Sequence, residues 1–210
     1  MVIVNDKNLI TLFPTMLFKG KISDTSFIDG LEKKIRNLKT NNIGSSQKDS
    51  FVSDDMLQKR PEFKELSDLI LAETAGVLDY FTAVRDSHYI SNMWANITSP
   101  NHEHMMHIHP NSFLSGILYI KTPQDCGATS FVDPRPAARI IEPDYKQYGP
   151  TNSGVFVNVP QKGGMLIWNS YLPHGVQKGN CKQNEDRIVV AFNIMLKGKI
   201  SQKKTAYLEL

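Results

Sequence analysis

Cysteine is scarce in this 210-residue chain: only Cys126 and Cys181 occur, without motif spacing and each in an apparent turn. That scarcity excludes a disulfide-stapled secreted scaffold and predicts a reducing compartment, the cytoplasm. No apolar run approaches the roughly 18 residues of a membrane-spanning helix. The opening Met1-Val2-Ile3-Val4-Asn5-Asp6-Lys7 lacks a basic region followed by a long apolar stretch, so no signal peptide is expected. Excess charge is also missing, the formal net charge being +3. The short basic clusters, Lys33-Lys34 with Arg36 and Lys203-Lys204, have no interleaved aromatics and read as solvated surface, which argues against a nucleic-acid partner. Internal repeats and low-complexity tracts are absent. What remains, 40% apolar and 21% charged residues, is ordinary for a soluble protein. A chain of this length buries enough surface to fold without a staple or structural metal, as one domain over 1–210.

Two textures divide the chain. Over 1–88, Leu12-Phe13-Pro14-Thr15-Met16-Leu17-Phe18 reads as a short strand at a sheet edge. Ser23 or Asp24 can cap a helix with apolar Phe27, Ile28, Leu31, Ile35 and Leu38 at helical spacing. Asn41–Ser50 is polar and reads as a loop. Pro61 suits a first helical turn, and Phe63, Leu66, Ile70, Leu71, Leu78 and Phe81 predict a long amphipathic helix ending near Arg85. Over 89–197, short strand-like runs alternate with Gly, Pro and Asn. Eight strands are predicted: Tyr89–Thr98, Met105–His109, Phe113–Lys121, Ala128–Val132, Val155–Val159, Met165–Asn169, His174–Gln177 and Ile188–Leu196. An irregular insertion, Pro134–Ser153, interrupts them. The expected fold is mainly β with flanking helices: a barrel or double sheet with the helices outside one face.

Four of the six histidines, His102, His104, His107 and His109, crowd into one stretch, and Pro173-His174 follows in a later strand. Imidazole is the commonest protein metal ligand. In an extended strand, residues i and i+2 share a face, so His107 and His109 can converge on one ion that His174 approaches from elsewhere. His102 and His104 form a rival pair on the opposite face of a continuous strand. Pro110-Asn111-Ser112 predicts a turn that sets His107 and His109 at the mouth, while Glu103 marks the earlier pair as solvated. A lone histidine is more often a surface or satisfied core residue; an HxH pair with a later strand histidine favours metal. On the last strand Arg187, Val189, Ala191, Asn193 and Met195 share one face. The planar fork of Arg187 suits a carboxylate, against the plainer reading of a strand-end arginine paired with Glu185 or Asp186.

The order His107-Ile108-His109-Pro110, Ser115-Gly116-Ile117-Leu118-Tyr119, Phe131-Val132-Asp133-Pro134-Arg135, Pro173-His174, then Arg187 and Asn193 resembles the iron(II)- and 2-oxoglutarate-dependent oxygenases. It is similar in particular to a family of small oxygenases of bacteria and phages, whose start the Leu12-Phe13-Pro14-Thr15 opening also resembles. The resemblance implies a double-stranded β-helix, a jelly-roll or cupin-like core, with Fe(II), 2-oxoglutarate and O2 as cofactor and co-substrates. By position it assigns His107, His109 and His174 to the metal, with His109 where the common HxD motif has its aspartate. It assigns Arg187 and Tyr119 to the far carboxylate of 2-oxoglutarate, and Ser115, Asn193 and, more remotely, Asn96 to the pocket wall. Asp133, from the Asp-Pro pattern, reads as strand-ending structure. The histidine in place of the carboxylate departs from the 2-His-1-carboxylate triad and leaves open an Asp or Glu ligand from elsewhere.

The implied activity is a hydroxylase that couples decarboxylation of 2-oxoglutarate to succinate with oxidation of a small molecule or a protein side chain. Two alternatives stand beside it: a cupin-type metalloenzyme that uses no oxoacid, and a non-catalytic β-barrel binding module. The sequence points to neither a particular substrate nor an oligomeric state.

Overall fold

The computed structural model describes residues 10, 12–47, 50–83, 87–135, 140–182, 185–200 and 207–210. The elements before the jelly roll are β1 (Leu17–Lys21), α1 (Thr25–Thr40), β2 (Gly44–Gln47), β3 (Ser50–Ser53) and α2 (Lys64–Tyr80), the last preceded by short 3-10 turns at Leu57–Lys59 and Pro61–Phe63. The jelly roll comprises β4 (Ser87–Thr98), β5 (His104–His107), β6 (Leu114–Lys121), β7 (Thr129–Val132), β8 (Val155–Asn158), β9 (Gly164–Asn169), β10 (His174–Val176) and β11 (Arg187–Lys197). A small ribbon of β12 (Lys199–Ile200) and β13 (Leu208–Glu209) follows.

All eight expected strands are present, and they deal themselves between two antiparallel sheets. One has the order β1-β9-β6-β11-β4-β3-β2, the other β5-β10-β7-β8. Neither sheet closes on itself, so the expected barrel is a pair of open facing sheets, the double-stranded β-helix arrangement. The cause lies in the edges: β1, β2, β5 and β8 each have a neighbour on one side only.

The strand period of two sorts side chains between two apolar layers. Leu114, Leu118 and Ile120 of β6, Met165 and Ile167 of β9, and Ile188, Val190, Phe192 and Ile194 of β11 point away from the second sheet. They meet Ile28, Leu31, Ile35 and Leu38 of α1 and Leu66, Ile70, Val77 and Leu78 of α2. The alternate residues, Ile117, Tyr119, Leu166, Trp168 and Val189, face the second sheet and meet its Phe131. Asp24 caps α1 by accepting the Phe27 backbone N–H, as its position before the apolar series predicts.

Three sequence expectations need correction. The polar segment expected as a loop instead forms a hairpin of β2 and β3, with all four β2 residues exposed. Inward-facing Phe51 and the pairing of β3 with β4 supply what β2 lacks in apolar anchoring. α2 ends at Tyr80, not near Arg85, a residue outside those described. Thr82 at φ 51° turns the chain left-handed, and the Ala83 N–H closes on the Leu78 carbonyl. The first strand also begins later than the Leu12-Phe13 run; it is an edge strand as expected, but Leu12 and Phe13 are exposed.

Candidate metal and oxoacid site

His107 closes β5, His109 follows in the turn, and His174 opens β10. His174 lies directly opposite His107 in the β5–β10 ladder and opposite Phe131 of β7 on its other side. The His109 N–H donates to the Ser170 carbonyl at 3.1 Å, which ties the turn after β5 to the turn before β10. Asn111 at φ 59° makes the expected reversal after Pro110. Together these restraints bring one ring nitrogen of each of the three histidines within 4.8 Å of the others.

The ring orientations suit a metal. His107 Nδ1 lies 2.8 Å from the Met105 carbonyl and His174 Nδ1 lies 2.9 Å from the Leu172 carbonyl. A carbonyl only accepts, so each Nδ1 carries the proton and each Nε2 keeps its lone pair free. His109 Nε2 and His174 Nε2 stand 3.2 Å apart. Two imidazole nitrogens at right angles, each about 2.1 Å from one ion, would be separated by about 3 Å. His109 and His174 are also held neutral, as ligation requires. Burial first, then His107, pushes the His109 pKa down to about 4. Burial does the same to His174, with His107 and His109 adding and the Leu172 carbonyl opposing. Among the described residues, no carboxylate is part of this cluster.

His104 behaves differently from the expectation for a continuous strand. Val176 is opposite His104 while His174 is opposite His107, so β5 carries one extra residue, a β-bulge. The bulge reverses the parity and puts the His104 ring in edge contact with His107, centroids 4.6 Å apart. His104 is nevertheless outside the three-nitrogen cluster.

Arg187 begins β11 on the inward side, only 3% exposed. The two acids beside it are engaged elsewhere: Asp186 accepts from Arg36 at 2.7 Å and Glu185 pairs with Lys121 at 2.9 Å. The guanidinium lies over the Tyr119 ring, 5.6 Å from its centroid, and its Nε and Nη2 have no hydrogen-bond partner. Burial lowers its pKa, with Tyr119 and Cys126 opposing. Tyr119 is fixed in turn: its hydroxyl lies 2.7 Å from Thr129 Oγ1 and accepts from Asn158 Nδ2 at 3.3 Å.

Ser115 and Asn193 sit behind the histidines. The Ser115 hydroxyl donates to Asn193 Oδ1 and lies 2.8 Å from the Ser170 hydroxyl, all three residues being buried. They therefore brace the Ser170 turn that anchors His109. Asn96 lies half-buried on β4, opposite Val189. Asp133 makes a two-pronged ion pair with Arg135 and accepts the Arg135 N–H, as a strand-ending turn should. Sequence reasoning passed over Trp168 and Trp94. The Trp168 ring is 4.7 Å from His174 and its indole N–H is buried without a partner; the Trp94 ring is 5.8 Å from His109. Their place on the inward register of β9 and β4 was the available signal.

Residues 92–193 match the family model described as Putative 2OG-Fe(II) oxygenase. Among solved structures, a prolyl-4-hydroxylase from Pseudomonas putida shares 10% identity over 88% of this chain and 94% of its own, with a TM-score of 0.62. HygX from Streptomyces hygroscopicus, solved with nickel and 2-oxoglutarate, shares 14% over 86% and 82%, with a TM-score of 0.59. SnoN, a non-heme alpha-ketoglutarate-dependent epimerase from nogalamycin biosynthesis, shares 11% over 91% and 81%, with a TM-score of 0.64. At such identities the likeness to these structures is one of fold. No curated protein matches the chain.

Proposed function

On the match of residues 92–193 to the 2OG-Fe(II) oxygenase family model, we propose that the chain is an Fe(II)- and 2-oxoglutarate-dependent dioxygenase acting as a hydroxylase. His107, His109 and His174 hold the metal on one face, and Arg187 with Tyr119 receives the far carboxylate of the oxoacid. The observation that carries the reading is Arg187: a buried cation with two nitrogens, Nε and Nη2, that lack an acceptor, its neighbouring acids taken by other bases. A buried charge left unpaired is costly, and an incoming carboxylate supplies both counter-charge and acceptors. A metal enzyme without an oxoacid, or a non-catalytic barrel, leaves that arrangement unexplained unless its own ligand carries a carboxylate.

When bound, the metal with O2 would supply the oxidation of substrate coupled to conversion of 2-oxoglutarate to succinate and CO2. The chain's own contribution is positioning. The Met105 and Leu172 carbonyls fix two imidazoles with Nε2 forward, and Ser170 braces the third. Tyr119, held by Thr129 and Asn158, supports the guanidinium at the deep end. Trp168, Phe131 and Leu172 form an apolar wall beside His174 that keeps bulk water from the reacting atoms. All three proposed ligands are neutral, so the site binds the dianionic co-substrate without a protein carboxylate opposing it. The substrate is a small molecule or a protein side chain, and a reducing, cytoplasmic setting suits both an Fe(II) site and the two buried cysteines.

Anaerobic titration of metal-free protein with Fe(II) and then 2-oxoglutarate tests this reading. A weak visible charge-transfer band that needs both components, and is lost in His174→Ala, is the expected result. Tight metal binding with no band on adding the oxoacid would overturn the oxoacid role and favour another cupin chemistry.

A further inference from the structure

We propose that Gly175 is a positioning residue for the metal site: only a residue without a Cβ lets bulged strand β5 close on β10, so that His107 reaches His109 and His174. The inference rests on the metal role proposed for those histidines. A Cβ built on Gly175 would stand 2.7 Å from the His104 carbonyl oxygen, 2.8 Å from Met106 Sδ and 3.3 Å from the Met105 carbonyl carbon. Comfortable non-bonded carbon contacts lie at about 3.5–4.0 Å. Met106 can swing its thioether aside, but the other two atoms are backbone, so β5 itself must retreat by about half an ångström or more. The bulge is the reason for the crowding. Gly175 alone stands opposite both Met105 and Met106 here, and the extra residue bows the chain towards Gly175.

Retreat of β5 would be felt at the metal and hardly elsewhere. β5 is an outer strand, paired among the described residues only with β10. None of its residues belongs to either apolar layer, and Met105 is 86% exposed. His174, in contrast, is held by β7 on its other side and by the Leu172 carbonyl. An added methyl group therefore moves His107 relative to His174 while the two sheets stay packed. Metal–ligand distances tolerate only about 0.2 Å, so a half-ångström displacement is a large error at the ion and a small one for the fold. Gly20, on β1, makes the contrast: a Cβ there meets nothing within 4 Å.

Anaerobic Fe(II) titration, with thermal melting of the metal-free protein, tests this on wild type, Gly175→Ala, the milder Gly175→Ala/Met106→Ala and the control Gly20→Ala. Both Gly175 variants should bind Fe(II) about 10–100-fold more weakly while melting close to wild type, and Gly20→Ala should bind as wild type does. Wild-type affinity in Gly175→Ala overturns the inference. Recovery in the double variant also does so, because it would place the effect in the thioether. Failure of both Gly175 variants to fold overturns it too, by making Gly175 part of the fold. Wild-type protein with no affinity for Fe(II) would be a separate result that removes the metal reading, and this inference with it.

Discussion

Arg187 carries two opposite consequences for the same substitution. In the ligand-free protein its guanidinium is buried with unmet donors, a state that an apolar side chain of similar length relieves. In the proposed complex with 2-oxoglutarate, the same change would strip a carboxylate of its buried partner, at a cost of about 2–5 kcal/mol. Arg187→Met should therefore leave Fe(II) binding intact, hold or raise the melting temperature without ligand, and weaken 2-oxoglutarate by about 30-fold to a few thousandfold. Isothermal titration at fixed metal, beside a melting curve, reads both. His109→Asp tests the histidine that stands where a carboxylate is usual. It should retain Fe(II) binding, since an oxygen ligand replaces a nitrogen on the same turn; loss of all binding would point to another third ligand. The inward place of Arg187 was legible from the strand's period of two; the grouping of the histidines was legible from motif spacing alone, since His109 lies past the end of β5 and is placed by its bond to the Ser170 carbonyl. Trp168 was not, because an indole on an apolar strand face looks like core until its unpartnered N–H is seen beside His174.

Elements were legible where apolar residues and turn residues cooperate, and illegible where a partner decides. The strand runs from 89 to 197 are bounded by Gly, Pro and Asn, so all eight could be placed to within a few residues. β2 carries no buried residue and exists because β3 offers it a ladder, information that no local pattern of Gly-Ser-Ser-Gln contains. The end of α2 depends on a left-handed threonine in the position usually given to glycine. The bulge in β5 likewise requires β10 opposite it, so local alternation misassigned the face of His104. Pairing of β6 with β11 makes a sharper demand. Gly116 is opposite Phe192, and a Cβ on it would overlap the Phe192 ring and stand 2.9 Å from the Leu166 carbonyl oxygen. Gly116→Ala should cost about 1–3 kcal/mol through overpacking, lowering the melting temperature by several degrees. Phe192 points to the helices, so the variant that remains folded should still bind Fe(II); loss of binding without loss of stability would contradict this division of faces.

The molecule separates the work of its two layers. The larger apolar layer, between α1, α2 and the outer face of the seven-stranded sheet, holds the architecture. The smaller one, between the facing sheets, leaves polar needs open: three imidazoles clustered at one end and, in its wall, a guanidinium whose Nε and Nη2 have no acceptor. Ligands that fill those needs bind the native state alone and stabilise the whole chain by mass action. At a free concentration 100 times Kd, each contributes about 2.7 kcal/mol, which at about 2–4 °C per kcal/mol for a chain of this size is a rise of roughly 5–10 °C. The order of the rises is the diagnostic part. Fe(II) alone should raise the melting temperature of wild type, and 2-oxoglutarate should add its rise only when metal is present, because one end of the oxoacid requires the ion and the other Arg187. Arg187→Met should keep the first rise and lose most of the second, whereas His174→Ala should lose both, and a chelator should return wild type to its starting value. A 2-oxoglutarate rise that persists in metal-free protein would mean that the oxoacid binds through Arg187 alone, and the two ends of the site would then be uncoupled.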